Sequence, residues 1–304
     1  MDTKTFDYLY NKAQGDSAES IMKELEITAE EYAQMEQKLA PVLAEIIKER
    51  AQAEKIGERF VQLTNYLYMG KSDQEKGMHR PPAIKPRTGD QIALPAVATI
   101  PLPEITLHQA ISQRRSLRKY SDAPLSQEEL SFLLWSCSWA RDFRSSERLE
   151  ITLRNVPSAG ARHPLETYLY IRRVTGIKPG LYYYHPVKHL LVLVMNGPEI
   201  ERKIVEGCFC QEMTSASAVN FIWTAVPYRT IWRYDQRSYR YMYLDAGHAA
   251  QNLHLAAEAI DGGACMIGAY CDEMMSEALD LDGTEEFVIY IATVGKKEPV
   301  ITVH

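Results

Sequence analysis

Arg114-Arg115-Ser116-Leu117-Arg118-Lys119-Tyr120 places three guanidinium groups and one ammonium group within six residues. Arginine's planar fork matches phosphate oxygens, and a serine hydroxyl can donate to the same group or to a neighbouring hydroxyl. The string reads as an anion site with Arg114, Arg115, Ser116 and Arg118 as its candidate residues. A charge run at a helix end is more often only solvated surface, so its weight depends on its surroundings. Upstream, Thr106 can cap a helix whose face carries Leu107, Ala110, Ile111 and Arg114. Downstream, Ser126-Gln127-Glu128-Glu129 has capping-box spacing and opens a helix that turns Leu130, Leu133, Leu134 and Cys137 inward.

Beyond these helices the pattern turns to strands. Branched and aromatic runs at 167–174, 181–184, 189–194, 219–226 and 287–294 predict strands. The step from 181 to 194 is too short for a crossover, so that pair should be antiparallel. A long helix at about 240–260 and a short one at about 272–280 separate the last two runs. The class is α+β, a mixed or antiparallel sheet flanked by helices. The long helix is rich in small residues, among them Ala246, Gly247, Ala249, Ala250, Ala256 and Ala257. An interior glycine costs roughly 1 kcal/mol relative to alanine, so a close neighbour should compensate Gly247.

Four further strings could join the basic one. Val156-Pro157-Ser158-Ala159-Gly160-Ala161-Arg162-His163-Pro164 is a turn-rich loop before a strand, where backbone can approach a flat ligand. Leu244-Asp245-Ala246-Gly247-His248 opens the small-residue helix. Cys265-Met266-Ile267-Gly268-Ala269-Tyr270 ends a strand in glycine, and Val294-Gly295-Lys296-Lys297 ends the last strand on a cationic pair. In this order the five strings resemble the nitroreductase superfamily of FMN-dependent enzymes. The closer resemblance is to its SagB/ThcOx-type azoline dehydrogenase branch, and it covers about residues 104–299. The segment from Phe60 to Pro95 also looks like the lead-in of that branch.

The resemblance implies a nitroreductase-like fold and an interlocked homodimer with FMN at the interface. Arg114, Ser116 and Arg118 would hold the phosphate and ribityl chain, with Arg115 nearby and Lys296 and Lys297 adding charge. Pro157, Ser158, Ala159 and Gly160 would line the isoalloxazine ring. Ile267 and Gly268 would present backbone N–H groups to the flavin edge where negative charge gathers on reduction. The branch carries a Lys-Tyr pair before the long helix, thought to remove the substrate proton; here that place holds Arg233-Tyr234. Arginine is not a base, since its pKa lies above 12. Tyr234 and Arg233 are thus the catalytic candidates. The first reading is ping-pong hydride transfer to or from a small organic substrate, with NAD(P)H a transient donor. The alternatives are a thiazoline or oxazoline dehydrogenase acting on a peptide, and a non-catalytic flavin-binding scaffold.

The remaining chain bounds these readings. Of 304 residues, 46% are apolar and 24% charged, the balance of a chain with a real core. Residues 1–100 hold 13 basic and 16 acidic side chains against 21 and 24 in the rest, so charge is even and no basic face for nucleic acid is expected. Five cysteines without paired spacing argue for reduced thiols, and no histidine spacing suggests a metal. The N-terminal stretch has no apolar core of a signal peptide and no run suits a membrane, so a cytoplasmic location is expected. Residues 17–68 read as helices. Thr28-Ala29-Glu30-Glu31 forms a capping box, and Tyr32, Met35, Leu39, Val42, Leu43, Ile46 and Ile47 form a stripe. Six prolines between residues 81 and 103 mark an extended linker or wrapping arm. The expected organisation is a helical region 1–69, the arm 70–103, and the FMN-binding domain 104–304.

Overall fold

The structure is a computed structural model that describes residues 1–101, 104–147 and 149–298. The chain divides into two compact units, Met1–Tyr68 and Met69–His304.

The first unit is four helices: α1 Thr3–Gln14, α2 Ala18–Glu24, α3 Ala29–Gln52 and α4 Ile56–Leu63. The Thr28 capping box forms as its spacing predicts, with Glu31 bonding back to the Thr28 amide. Of the predicted stripe, Tyr32 and Leu39 are buried with Tyr8, Leu9 and Ile21, whereas Val42 and Ile47 are exposed. α1 went unpredicted. Its start is polar, and an aspartate cap at Asp2 is a weaker signal than a full capping box.

The second unit is built on a seven-stranded sheet. Its strands are β1 Gln91–Ala93, β4 Leu165–Ile171, β5 Gly180–His185, β6 Leu190–Met195, β7 Val219–Ala225, β8 Gly262–Ile267 and β9 Phe287–Lys296. Their order is β1-β6-β5-β4-β7-β9-β8, and every neighbouring pair is antiparallel. A separate hairpin joins β2 Ala140–Ser145 to β3 Glu150–Arg154. β2 carries mainly charged and hydroxyl side chains, and the alternation of β3, with Ile151 and Leu153 between Glu150, Thr152 and Arg154, spans only five residues.

Helices cover both faces of the sheet. They are α5 Leu107–Gln113, α6 Gln127–Cys137, α7 Pro198–Gly207, α8 Glu212–Ala216, α9 Tyr228–Tyr234, α10 Ser238–Ala259 and α11 Asp272–Ala278. Side chains alternate across the central strands. Leu165, Leu169, Ile171, Phe221 and Trp223 join α6 and α10 in one core. Tyr168, Tyr170 and Ile222 turn the other way, to α7 and α11. β4 stops at Ile171, short of the predicted 174, because the amides of Arg172 and Arg173 both donate to the Ala218 carbonyl. Their guanidinium groups then tie down the carbonyls of Thr214, Ala216 and Ser217. On α5 only Ala110 of the predicted apolar face is buried; Leu107 and Ile111 are exposed.

The prolines of the arm remove backbone donors, so apart from β1 the segment stays out of the sheet. Its side chains anchor it instead. Arg80 pairs with Glu150, Lys85 with Glu286, and Arg87 donates to the Tyr168 hydroxyl. The amides of Ala83 and Lys85 donate to Glu150 and Glu166.

Candidate functional site

The basic string leaves α5 at Arg114, whose ψ of 126° turns the chain extended. Ser116 then bridges Ala264 in parallel, and the Leu117 amide donates to the Ala264 carbonyl. Extended backbone alternates its side chains, so Ser116 and Arg118 are exposed on either side of the half-buried Leu117, and Tyr120 is buried past the end of the string. Two glycines make room for this. A Cβ on Gly263 would lie 2.5 Å from the Leu117 side chain, and one on Gly295 would lie 2.7 Å from the Tyr120 ring. The Tyr120 hydroxyl bonds Leu117 O at 2.6 Å and Thr293 Oγ1 at 2.7 Å, which fixes the register of the string on β8 and β9.

No carboxylate pairs with Arg114, Arg115 or Arg118 among the described residues. Arg115 donates only to the carbonyls of Ser112 and Arg114. Lys296 and Lys297 differ. Lys296 pairs with Glu129 and donates to Ile260 O, and Lys297 lies 2.8 Å from Glu258. Their charge is balanced locally, unlike that of the three arginines. His254 of α10 feels them: burial first, then Arg114, pushes its pKa down to about 4.

β8 leads from this cationic edge to Gly268. Ile267 is buried in register with Ile291, whereas Gly268 is exposed and an added Cβ there would meet nothing within 4 Å. From Ala264 to Gly268 the strand rises about 13 Å, a span that a mononucleotide with a planar ring can bridge.

The Pro157–Gly160 loop lies at the other end of α10. Ser158 Oγ donates to Asp245 Oδ2 at 2.6 Å and accepts from the His163 amide at 2.9 Å. Gly160 has φ +58°, and Ala161 and His163 also take left-handed φ of 53° and 44°. Gly160 meets the catalytic candidates directly. A Cβ there would lie 2.5 Å from the Tyr234 hydroxyl and 3.3 Å from Arg233. The Arg233 guanidinium sits 5.5 Å from the centre of the Tyr234 ring. The structure thus joins the loop to Arg233-Tyr234, and joins Arg114, Ser116 and Arg118 to β8. Asp245 and His254 are nine residues apart on α10, so the two groups stand roughly 14 Å apart along that helix.

Four neighbouring residues carried no role in the sequence reading. Asp245 stood inside a quoted string, but a single acid among alanines has no motif. Arg162 is almost fully buried; its Nε donates to Arg229 O at 2.7 Å and its guanidinium stacks on Trp232. Arg229 and Glu166 form a fully buried ion pair beneath α9. Burial alone would raise the Glu166 pKa, but Arg229 and Arg154 outweigh it and hold the carboxyl below the ordinary glutamate range. Such partners meet only through the fold. Among the described residues no group of His, Cys, Asp and Glu could hold a metal ion. No described helix is long and apolar enough to cross a membrane.

The domain is thus a small-residue helix packed on an antiparallel sheet, with an arginine string against the edge strand. Residues 111–296 match the model of the nitroreductase family, and the chain belongs to that family. It is 32% identical over 194 residues to the nitroreductase-family protein MJ1384 of Methanocaldococcus jannaschii, covering 64% of this chain and 92% of that one. It is 33% identical over 109 residues to the trifolitoxin-processing protein TfxB of Rhizobium leguminosarum bv. trifolii, covering 34% of this chain but only 29% of TfxB. A nitroreductase crystal structure from Anabaena variabilis superposes with a TM-score of 0.56 at 27% identity, over 69% of this chain and 42% of that one.

Proposed function

We propose that this chain is an FMN-dependent oxidoreductase, and the observation that carries the reading is the uncompensated Arg114–Arg118 string leading along β8 to the open Gly268. The residues fit the cofactor. Arg114, Ser116 and Arg118 offer charge and a hydroxyl to a phosphate, with Arg115 beside them. The Ile267 and Gly268 amides lie at the strand end where the ring edge would rest, and Pro157, Ser158, Ala159 and Gly160 border its face. Lys296 and Lys297 act through Glu129 and Glu258, shaping the edge rather than adding free charge. When bound, FMN supplies ping-pong hydride chemistry between a donor such as NAD(P)H and a small organic acceptor. Tyr234, which lies against Gly160, would hold or move a proton of that substrate, with Arg233 over its ring.

The second reading, oxidation of an azoline in a peptide, is favoured by the match to a toxin-processing protein. A homodimer belongs to both readings. It is supported by the exposed apolar side chains of Leu107 (67%) and Ile111 (56%) on α5 and Leu244 (58%) on α10, two helices that pack together.

The test is the purified protein itself. It should be yellow, release FMN on heating, and bleach anaerobically with NADH, NADPH or dithionite; acceptor screening then separates nitro compounds and quinones from azolines. A colourless protein that fails to bind added FMN overturns the reading. Light scattering should report a dimer, and a monomer with bound FMN would remove that part of it.

A further inference from the structure

We propose that Asp245 is a positioning residue, the latch that closes the Pro157–His163 loop through Ser158 and the Ala159 amide. The inference takes its functional meaning from the flavin reading above, but its geometry stands without it. Asp245 projects from α10 into the base of the loop, where its Oδ2 accepts the Ser158 hydroxyl at 2.6 Å. Ser158 Oγ in turn accepts the His163 amide at 2.9 Å, closing a ring across the loop. Inside that ring Ala161 and His163 hold left-handed backbone, a conformation that persists only where its surroundings enforce it. Arg162 supplies the second anchor, donating to Arg229 O and Glu150 O. The loop so fixed keeps Gly160 against the Tyr234 hydroxyl. Release of the latch would free the surface that meets the substrate.

Asp245 shares a small cavity with Arg154, His163, Ser138, Thr167 and Trp223. From β3, Arg154 faces it with a buried Nη2 that has no hydrogen-bond partner. From its own helix, His248 faces it one turn on; from the loop come Ser158, Ala159 and His163. His163 is neutral, because burial and then Arg154 push its pKa down to about 2. Burial raises Asp245 to about 6, against the opposing pull of Ser158, His248, the Ala159 amide and Arg154. The direction of linkage follows. The closed latch binds a proton more tightly than an opened, solvated Asp245 with an ordinary value of 3.8. The loop is therefore held most firmly below about pH 4, and the advantage is lost as pH rises through about 6. Full solvation on opening would bound the shift in the opening equilibrium at roughly a hundredfold.

Hydrogen exchange on the full-length protein, followed by mass spectrometry and corrected for intrinsic rates, reads this opening in peptides covering 156–164. Wild type should open more at pH 8 than at pH 5, by up to about tenfold if Asp245 is fully solvated on opening. Asp245→Asn keeps an acceptor for Ser158 without a charge, so its opening should not depend on pH. Asp245→Ala should be open at both values, and Ser158→Ala should loosen the same peptides if Asp245→Ala does not fold. A wild-type loop whose opening ignores pH, or an Asp245→Ala loop as protected as wild type, overturns the latch. Flavin absorbance of the same samples is scored separately. A pH-gated loop in a protein that binds no FMN would sink the cofactor reading alone, and bound FMN beside a pH-blind loop would sink the latch alone.

Discussion

Gly160→Ala tests whether the loop and Tyr234 really meet. At φ +58° an alanine carries the left-handed penalty, about 1–2 kcal/mol. Its Cβ would also stand 2.5 Å from the Tyr234 hydroxyl and 3.3 Å from the Arg233 Cδ and Nε. The oxygen is the tip of a partly exposed ring, so it yields by displacement rather than by breaking the core. The expected loss is about 1–3 kcal/mol in all. For a unit of this size each kcal/mol lowers Tm by about 2–4 °C. The decisive assay is a double-mutant cycle by urea denaturation with Gly160→Ala, Tyr234→Phe and the pair. Removing the phenol oxygen should relieve the clash but not the backbone cost, leaving a favourable coupling of roughly 0.5 kcal/mol or more. Strictly additive effects, or a Gly160→Ala protein as stable as wild type, would refute the contact.

Arg114→Ala and Ser116→Ala should each raise the Kd for FMN roughly ten- to hundredfold, since a charge-assisted contact is worth about 1.5–3 kcal/mol; unchanged affinity in Arg114→Ala would move the phosphate elsewhere. Tyr234→Phe should slow turnover roughly a hundredfold with flavin content intact, the usual range for a lost acid or base. Arg233→Lys restores a Lys-Tyr pair and should bring out azoline oxidation; full activity of Tyr234→Phe on the true substrate would make the pair structural. Glu166→Gln strands Arg229 in the core at a cost of about 3–5 kcal/mol. The Glu166 contribution is present above the ordinary glutamate pKa and disappears as pH falls through its lowered value, so the variant should lose stability less steeply in acid than wild type. Arg80→Ala with Lys85→Ala should cost about 2–6 kcal/mol and open the arm to trypsin, whereas a passive tether would melt unchanged and be cut in wild type.

The elements legible in the sequence were those whose signal is local. The capping boxes at Thr28, Thr106 and Ser126 all form, since each needs only residues three apart. The central strands lie within a few residues of their predicted bounds because branched and aromatic runs buried on both faces leave no other reading. The hairpin β2–β3 and helix α9 were missed for different reasons. The first is short, with only Ile151 and Leu153 to mark the apolar face of β3, and the second packs aromatic and arginine residues that would equally suit a loop. Of the site, the basic string and the glycine turns were legible as motifs. The pairing of Ser158 with Asp245, 87 residues away, was not, because it exists only once α10 lies under the loop. The fate of Lys296 and Lys297 was hidden likewise. Their carboxylate partners lie on α6 and α10, far from the last strand in sequence.

The arm explains how the half-buried pair Arg233-Tyr234 is held in place. α9 is short, has no side-chain N-cap, and ends at a strained Asp235, with φ 49°. Alone, seven residues would not stay helical in water. The arm grips it along its length: Gln74 N donates to Trp232 O, Trp232 Nε1 to Met78 O, and Arg229 Nε to Pro82 O. The arm's own prolines make those carbonyls available, because a chain without amide donors cannot pair them in a ladder. Below, Arg229 is locked to Glu166, and Glu166 also takes the Lys85 amide and the Tyr183 hydroxyl. Glu286 binds Lys85, Tyr168 and Thr224 in the same way. Each buried carboxylate therefore answers both to the sheet and to the arm. Ionised groups taken out of water are tolerable only when every such partner is present. Loosening the arm would take the Lys85 amide from Glu166 and the Lys85 ammonium from Glu286, so the sheet enforces the position of the arm and the arm that of α9. Tyr234 is placed on Gly160 by residues more than 140 positions apart in the chain, and the arm among them precedes the family match at residues 111–296.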